Sequence, residues 1–419
     1  MDETPVNVKS EIGRLRVVIL HRPGAELENL TPDTLTELLF DDIPYLKVAQ
    51  EEHDHFANLL RNRGAEVLYY DALAAESLTD ETTREHFVRD ILHSSKQSDR
   101  RVSAALSDYL LSMDPPTMVR QIMAGVRKKD VRIAVENSTS LETMVECGGE
   151  KFCESGYPFY LDPMPNLYFS RDYAAAIGHG MTINHMHFSA RRRESLFMKY
   201  ILQHHPRFKD QNVPIWYDRD GRWSVEGGDE QIWNRETVAI GLSQRTQPGA
   251  IEQIATKLLA ESDFKRIVAL EIPKSHALMH LDTVLTMVDY NKFTVFPEIM
   301  DRLGKMNIFI LTRRDDGELN IEHRENLLYV IREVIGRDDI ELLPTGGGDQ
   351  IASEREQWND GSNTLAIAPG VVVTYDRNYV SNRLMRERGL EVLEIPGAEL
   401  GRGRGGPRCM SMPLKREEV

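Results

Sequence analysis

Cysteine is scarce in this chain, with three residues in 419, at positions 147, 153 and 409. An odd count so widely spaced excludes a disulfide framework as the basis of the fold and points to a reduced, cytoplasmic protein. No apolar run is long enough to span a bilayer. Met1-Asp2-Glu3-Thr4-Pro5 has neither the basic nor the apolar region of a signal peptide. Basic residues are outnumbered, 51 against 66 acidic, for a net charge of −15. That balance disfavours a nucleic acid or an anionic membrane surface as partner and favours a cationic ligand. What is present is ordinary for a soluble protein, 41% hydrophobic and 28% charged, in a chain long enough to bury a large core.

One pattern recurs. A helix-like segment ends, a short β-branched strand follows, and then comes a polar cluster rich in Gly, Asp or Arg. The first helix runs over about 46–63, stops at Gly64 and leads to Val67–Tyr70. Later instances lead from the stretch near Arg191 to Val213–Trp216 and Glu226-Gly227-Gly228-Asp229, and from 249–260 to Ile267–Leu270 and His280-Leu281-Asp282. The segment 322–335 leads to Ile340–Leu343 and Gly346-Gly347-Gly348-Asp349; 381–388 leads to Leu390–Leu393 and the loop before Cys409. Asn166 to Asp172 forms the first cluster. Spacings of roughly 50–70 residues mark a repeat architecture. In an open stack the clusters would stay apart; in a ring all five would face one axis. The strand Leu15–Leu20 is placed to pair with the final unit, which favours a ring. Residues 76–155 interrupt the first repeat with helical spacing (Phe87, Val88, Ile91, Leu92; Val102, Leu106, Leu110; Met118, Val119, Ile122) broken at Asp114-Pro115-Pro116. The expected organisation is a propeller from 1–75 and 156–419, with 76–155 an inserted helical bundle.

The loop Gly401–Cys409 contains three glycines before Gly406-Pro407, interleaved with Arg402 and Arg404, and a third arginine, Arg408, stands directly before the cysteine. Glycine lets backbone approach a ligand closely, and positive charge lowers a thiol pKa toward the reactive thiolate. Read alone, this is a basic tail. The alternation Met410, Met412, Leu414 leads it into packed structure instead.

A single cavity fed by these clusters would hold Asp172, Glu226, Asp229, His280, Asp282 and Cys409, with Arg171, Arg191, Arg245 and Arg404 nearby. A thiol and an imidazole make a nucleophile and acid/base pair. Carboxylates suit a planar guanidinium, and arginines suit a carboxylate; a ligand carrying both ends is arginine. Each residue also has a plainer reading: Asp229 and Asp349 as turn caps, His280 as a half-buried histidine, Arg191-Arg192-Arg193 as a solvated face, Cys147 and Cys153 as inert. His280-Leu281-Asp282 has usable metal-ligand spacing, yet no second histidine stands nearby to complete a site.

Taken in order, Phe40–Pro44, Pro165–Asp172, Glu226–Asp229, Met279–Asp282, Glu354–Gly361 and Gly403–Cys409 resemble the arginine deiminase family. The resemblance runs from about residue 10 to the end. It implies an α/β fold, a five-bladed pseudo-fivefold α/β propeller (pentein) with an inserted helical bundle. It also implies a hydrolase turning L-arginine into L-citrulline and ammonia through a covalent thiouronium on Cys409. In that scheme Asp172 and Asp282 grip the guanidinium, and His280, held by Glu226, moves protons. Asn166, Phe169, Arg191, Asp229, Arg245, Gly403 and Arg404 surround the substrate. No metal or organic cofactor is implied, and a homodimer or higher homo-oligomer is expected. Some family members carry Gly-His before the cysteine where this chain has Pro407-Arg408, which puts the charge state of the free thiol in question. An amidinotransferase or methylarginine hydrolase is the nearest rival, and a non-catalytic arginine-binding protein a further one; the intact Cys409, His280 and Glu226 argue against the latter.

Overall fold

The computed structural model describes residues 4–95, 99–135, 140–148, 151–152, 156–275, 277–300 and 305–419. Its repeated unit is a two-stranded hairpin, a helix, and a strand that returns parallel to the hairpin's second strand. A parallel neighbour requires a crossover, and the helix supplies it. Ala174–Ile177 and Gly180–Ile183 form one hairpin, Glu194–His204 crosses over, and Ile215–Tyr217 pairs with Gly180–Ile183. The order recurs in Glu230–Asn234, Thr237–Leu242, Pro248–Glu261 and Arg266–Glu271. It recurs again in Leu285–Asp289, Lys292–Val295, Leu327–Ile335 and Glu341–Pro344, and in Leu365–Ala368, Val371–Tyr375, Tyr379–Glu387 and Glu391–Ile395.

A fifth unit is built from both ends of the chain. Leu15–Leu20 lies antiparallel to Met412–Arg416 and parallel to Glu66–Tyr69, which follows the helix Leu46–Asn62. The first strand therefore does pair with the last unit. The sheets stay separate, and no continuous closed sheet forms among the described residues.

One feature differs from expectation. A hairpin, Lys305–Arg313 and Leu319–Asn326, extends the sheet of Arg266–Glu271, so the helix expected over 322–335 begins only at Leu327. Asn326 caps it, accepting from Tyr329 N at 2.8 Å; the exposed charges of Glu322, His323 and Arg324 hide the strand from a hydrophobic pattern. Cys147 is buried in the core that the insertion shares with the unit that follows it. Cys153 lies outside the described residues, and Cys409 is a free, buried thiol.

The inserted helices include Glu81–His93, Arg100–Leu111 and Pro115–Ala124. Asp80, Asp99 and Asp114 cap them through side-chain oxygens, so the Asp-Pro-Pro break is a helix start. Phe87, Ile91, Leu106 and Ile122 share one core cluster with Tyr173, Phe197 and Ile201. The insertion thus packs directly onto the unit of Ala174–Ile183, and the apolar face of Glu81–His93 is turned inward. No helix among the described residues is long and apolar enough to cross a membrane.

Candidate active site

The segment just ahead of each hairpin's first strand carries the polar residues: 166–172, 226–229, 280–283, 360–363 and, before Met412–Arg416, 403–409. The fourth loop is therefore Asp360–Asn363. The Gly346–Asp349 cluster read from the sequence serves another purpose: Asp349 caps Gln350–Trp358, accepting from Ala352 N at 2.8 Å.

These segments meet in two linked networks. Around Cys409, Asn363 donates from Nδ2 to Sγ at 3.0 Å and accepts from Cys409 N at Oδ1, also at 3.0 Å. Asp282 Oδ2 lies 3.7 Å from Sγ and accepts from Arg408 Nη1 at 2.7 Å. Glu11 receives the rest of the Arg408 fork at 3.2 Å through both oxygens. Around His280, Nε2 contacts Glu226 Oε2 at 2.8 Å, and Nδ1 stands 3.8 Å from Asp172 Oδ1. Gly228 is required beside it, since a Cβ there would lie 2.6 Å from the imidazole.

All seven expected substrate-binding residues are near this centre, but several are occupied. Arg191 donates to Asp172 Oδ2 at 2.7 Å and to Glu194 at 2.9–3.1 Å. Arg245 donates to Glu226 Oε2 at 3.2 Å and lies 4.6 Å over the Phe188 ring. Arg404 reaches Asp41 at 3.4 Å and stacks 3.6 Å above Trp358. These contacts hold Arg404 at φ +61°, a conformation that costs a side-chain-bearing residue. Asn166 donates to Leu38 O at 2.7 Å. Asp229 accepts from Ser243, Thr246 and Leu281 N at 2.6–2.8 Å, bracing the His280 loop rather than capping its own turn. Gly403 and Gly405 run against the Phe169 ring; a Cβ on Gly405 would sit 2.3 Å from it.

The electrostatics of Cys409 reverse the expectation for its arginine-rich loop. Burial, with the charges of Asp282, Asp172 and Asp360, pushes the thiol well above its usual range, and Arg408 only partly opposes this. The arginines fail to lower it because each already faces a carboxylate. Burial disfavours a charged His280, yet Asp172, Glu226 and Asp229 overcome it and raise the imidazole to about 9. Burial likewise opposes ionisation of Glu226, but Arg245, His280 and Arg191 hold it well below the carboxylate range. Burial lifts Asp282 despite Arg408 and His280, and lifts Asp360 to about 7 against the pull of Arg404.

A higher thiol pKa means less thiolate at any given pH. Alkylation of Cys409 by neutral iodoacetamide, without substrate, is therefore expected to be slow at pH 7 and to climb through alkaline pH. A plateau already reached below neutrality would contradict this balance. Arg408→His removes the guanidinium that opposes the rise of the thiol and leaves a shorter side chain with a weaker cation in its place. The alkylation profile should move to still higher pH, and an unchanged profile would remove Arg408 as a determinant.

Asp172 Oδ1 and Asp282 Oδ1 are both buried with no hydrogen-bond partner. Two such acceptors at one centre call for a donor bearing N–H groups on more than one side. Asp172, Glu226 and His280 also bring ligand atoms within 4.8 Å of one another. Arg191 Nη1 and Arg245 Nη1 already stand 2.7 Å from Asp172 and 3.2 Å from Glu226, so guanidinium groups answer that negative charge.

Asn363 and Glu11 escaped the sequence reading, while Trp358 and Asp360 fell within the motif Glu354–Gly361 without being given a role. Asn363 had a signal: it precedes a hairpin strand, as Cys409 and Asp229 do. Glu11 had none, because nothing local ties it to residue 408.

A buried thiol, an imidazole on a carboxylate and unpartnered carboxylate oxygens meet at one centre of an α/β pentein fold. Solved structures share that fold: an amidinotransferase, SxtG, from Microseira wollei (TM-score 0.52, 15% identity, 99% of this chain and 98% of the other) and a dimethylarginine dimethylaminohydrolase from Pseudomonas aeruginosa (TM-score 0.50, 14% identity, 95% and 99%). The arginine deiminase family model matches residues 36–416. The arginine deiminase of Bacillus cytotoxicus is 57% identical over 417 residues, 99% of each chain, and that of Staphylococcus epidermidis 53% over 422, 100% of each. The chain belongs to the arginine deiminase family.

Proposed function

We propose that this chain hydrolyses L-arginine to L-citrulline and ammonia through Cys409, with the five hairpin loops set as blades about one axis. Membership of the family supports the overall reaction. The observation that carries the residue assignment is the pair of unpartnered oxygens on Asp172 and Asp282, which a substrate guanidinium would bridge. Arg191, Arg245 and Arg404 would then exchange internal carboxylates for that of the substrate.

The charge balance gives the order of events. An arriving guanidinium offsets Asp172 and Asp282, which removes part of what keeps the thiol protonated. The thiol proton passes to Asp282 Oδ2, the carboxylate 3.7 Å away, and the sulfur forms a bond to the guanidinium carbon. His280, cationic at neutral pH by its raised pKa, gives its proton to the departing nitrogen as the C–N bond breaks and ammonia leaves. The product is an S-linked thiouronium. His280, now neutral and held by Glu226, takes a proton from water as the water oxygen bonds to the same carbon. The C–S bond then breaks, releasing citrulline and returning the sulfur to be reprotonated.

Rapid acid quenching during turnover, followed by mass spectrometry, tests the covalent step. The Cys409 peptide should carry arginine less ammonia. A quenched enzyme that never carries this mass at any time point, while turning over, would contradict it. For oligomerisation, the inward-facing Phe87 and Ile91 leave Glu81–His93 no apolar surface for pairing, so a homo-oligomer would need another face.

A further inference from the structure

Gly397–Leu400, at the start of the loop that ends in Cys409, is held by a residue nearly 350 positions earlier in the chain. Glu52 sits on the helix Leu46–Asn62 and is buried. Its Oε1 accepts from Ala398 N at 2.9 Å and Glu399 N at 3.3 Å; its Oε2 accepts from Glu399 N at 3.0 Å and Leu400 N at 2.9 Å. Successive backbone N–H groups converging in this way form an anion-binding concavity. Here the anion is a side chain of the same protein, brought from the unit built on both chain termini.

We infer that Glu52 is a positioning residue for the catalytic loop, filling an anion nest at residues 398–400 and so fixing where Gly403, Arg404 and Cys409 stand. The inference rests on the arginine-hydrolysing reading above.

The rest of the loop shows why this anchor matters. Immediately after the nest the chain makes the turn Leu400–Gly403, with Tyr168 Oη donating to Leu400 O at 3.0 Å. Arg404 follows in its left-handed conformation, then Gly405, whose carbonyl accepts from Tyr375 Oη at 2.9 Å. Glu52 is the charged holder of the loop's entry, and bonds to an ionised acceptor are about twice as strong as neutral ones. Glu399 adds a second tie outward, accepting from Tyr45 N at 2.7 Å and forming an ion pair with Arg402, whose Nε lies 2.9 Å away. If the entry is released, the turn that aims Arg404 and presses Gly403 against Phe169 loses its fixed origin. Substrate binding should suffer first, because it depends on Arg404 and Gly403 directly.

The test is Glu52→Ala, with Glu52→Gln beside it and sodium formate as the probe. Enzyme competent for chemistry is titrated through the arginine adduct that acid quenching traps on Cys409, which misfolded material does not form, so that such material does not enter kcat. Glu52→Ala should raise KM for arginine by about tenfold or more, with a smaller change in kcat per titrated site. Formate, a carboxylate small enough for the vacated nest, should lower KM again in a saturable manner and leave the unaltered enzyme unaffected. Glu52→Gln keeps one acceptor oxygen and should fall between, which provides a reading even if the alanine variant folds poorly. A KM unchanged in both variants would overturn the inference. So would losses confined to the number of titratable sites, since fewer folded molecules lower the rate without moving KM. Failure of the underlying reading would look different, because the unaltered enzyme would then release no citrulline.

Discussion

Cys409→Ala is expected to release no measurable citrulline, a loss of about five or six orders of magnitude in kcat, while arginine affinity stays within about threefold. The two effects separate because the sulfur and the binding groups are different atoms. Sγ touches Asn363 and Asp282. The groups assigned to the substrate, namely Asp172, Asp282 and the three arginines, keep their side chains in the variant. Alanine also removes the thiol without adding bulk, so nothing new obstructs the guanidinium carbon. Isothermal titration of the variant with arginine checks affinity directly, since no turnover intervenes. Binding abolished together with turnover would instead make Cys409 a structural element of the loop.

Asp282→Ala should damage both. Its Oδ1 has no partner and its Oδ2 holds Arg408, so the variant loses one jaw of the guanidinium clamp and half the compensation of a buried cation. Breaking a buried charge pair costs about 3–5 kcal/mol. On binding, a lost charge-assisted contact of about 1.5–3 kcal/mol corresponds to roughly a ten- to hundredfold weaker affinity. A second consequence follows from the same geometry. Asp282 is the leading charge raising the Cys409 thiol, so the alkylation profile of Asp282→Ala should move to lower pH, opposite to Arg408→His. Asp282→Asn keeps the volume and removes the charge, and should show the same pH displacement with less loss of stability. Wild-type arginine affinity in the asparagine variant would break the proposed clamp.

The repeat and the catalytic loops were legible in the sequence because each unit ends in β-branched strands whose flanking polar residues break the pattern sharply. Val67–Tyr70, Ile267–Leu270 and Leu390–Leu393 all lie within or beside strands that return parallel to their sheets. Asp172, Glu226, His280, Asp282 and Cys409 are brought together at one buried centre. What escaped falls into two kinds. Leu319–Asn326 carries no periodic apolar face, so hydrophobicity could not announce it. The Gly346–Asp349 cluster was counted among the loops facing the axis and Asn363 was not, because a Gly-Gly-Gly-Asp run draws the eye more than Asn-Asp-Gly-Ser-Asn. Position relative to the following hairpin strand, rather than glycine content, is the better guide. The raised thiol pKa could not be foreseen, since the sequence shows three arginines beside Cys409 but not the carboxylates of Glu11, Asp41, Asp42 and Asp282 that answer them.

The most direct measurement is the yield of both products from free L-arginine, with Cys409→Ser and an added chelator run in parallel. Citrulline and ammonia released in equal amounts, lost in the serine variant and indifferent to chelator, is the predicted result. Absence of citrulline from the unaltered enzyme, or citrulline formed as well by the serine variant, would contradict a cysteine-dependent arginine hydrolase.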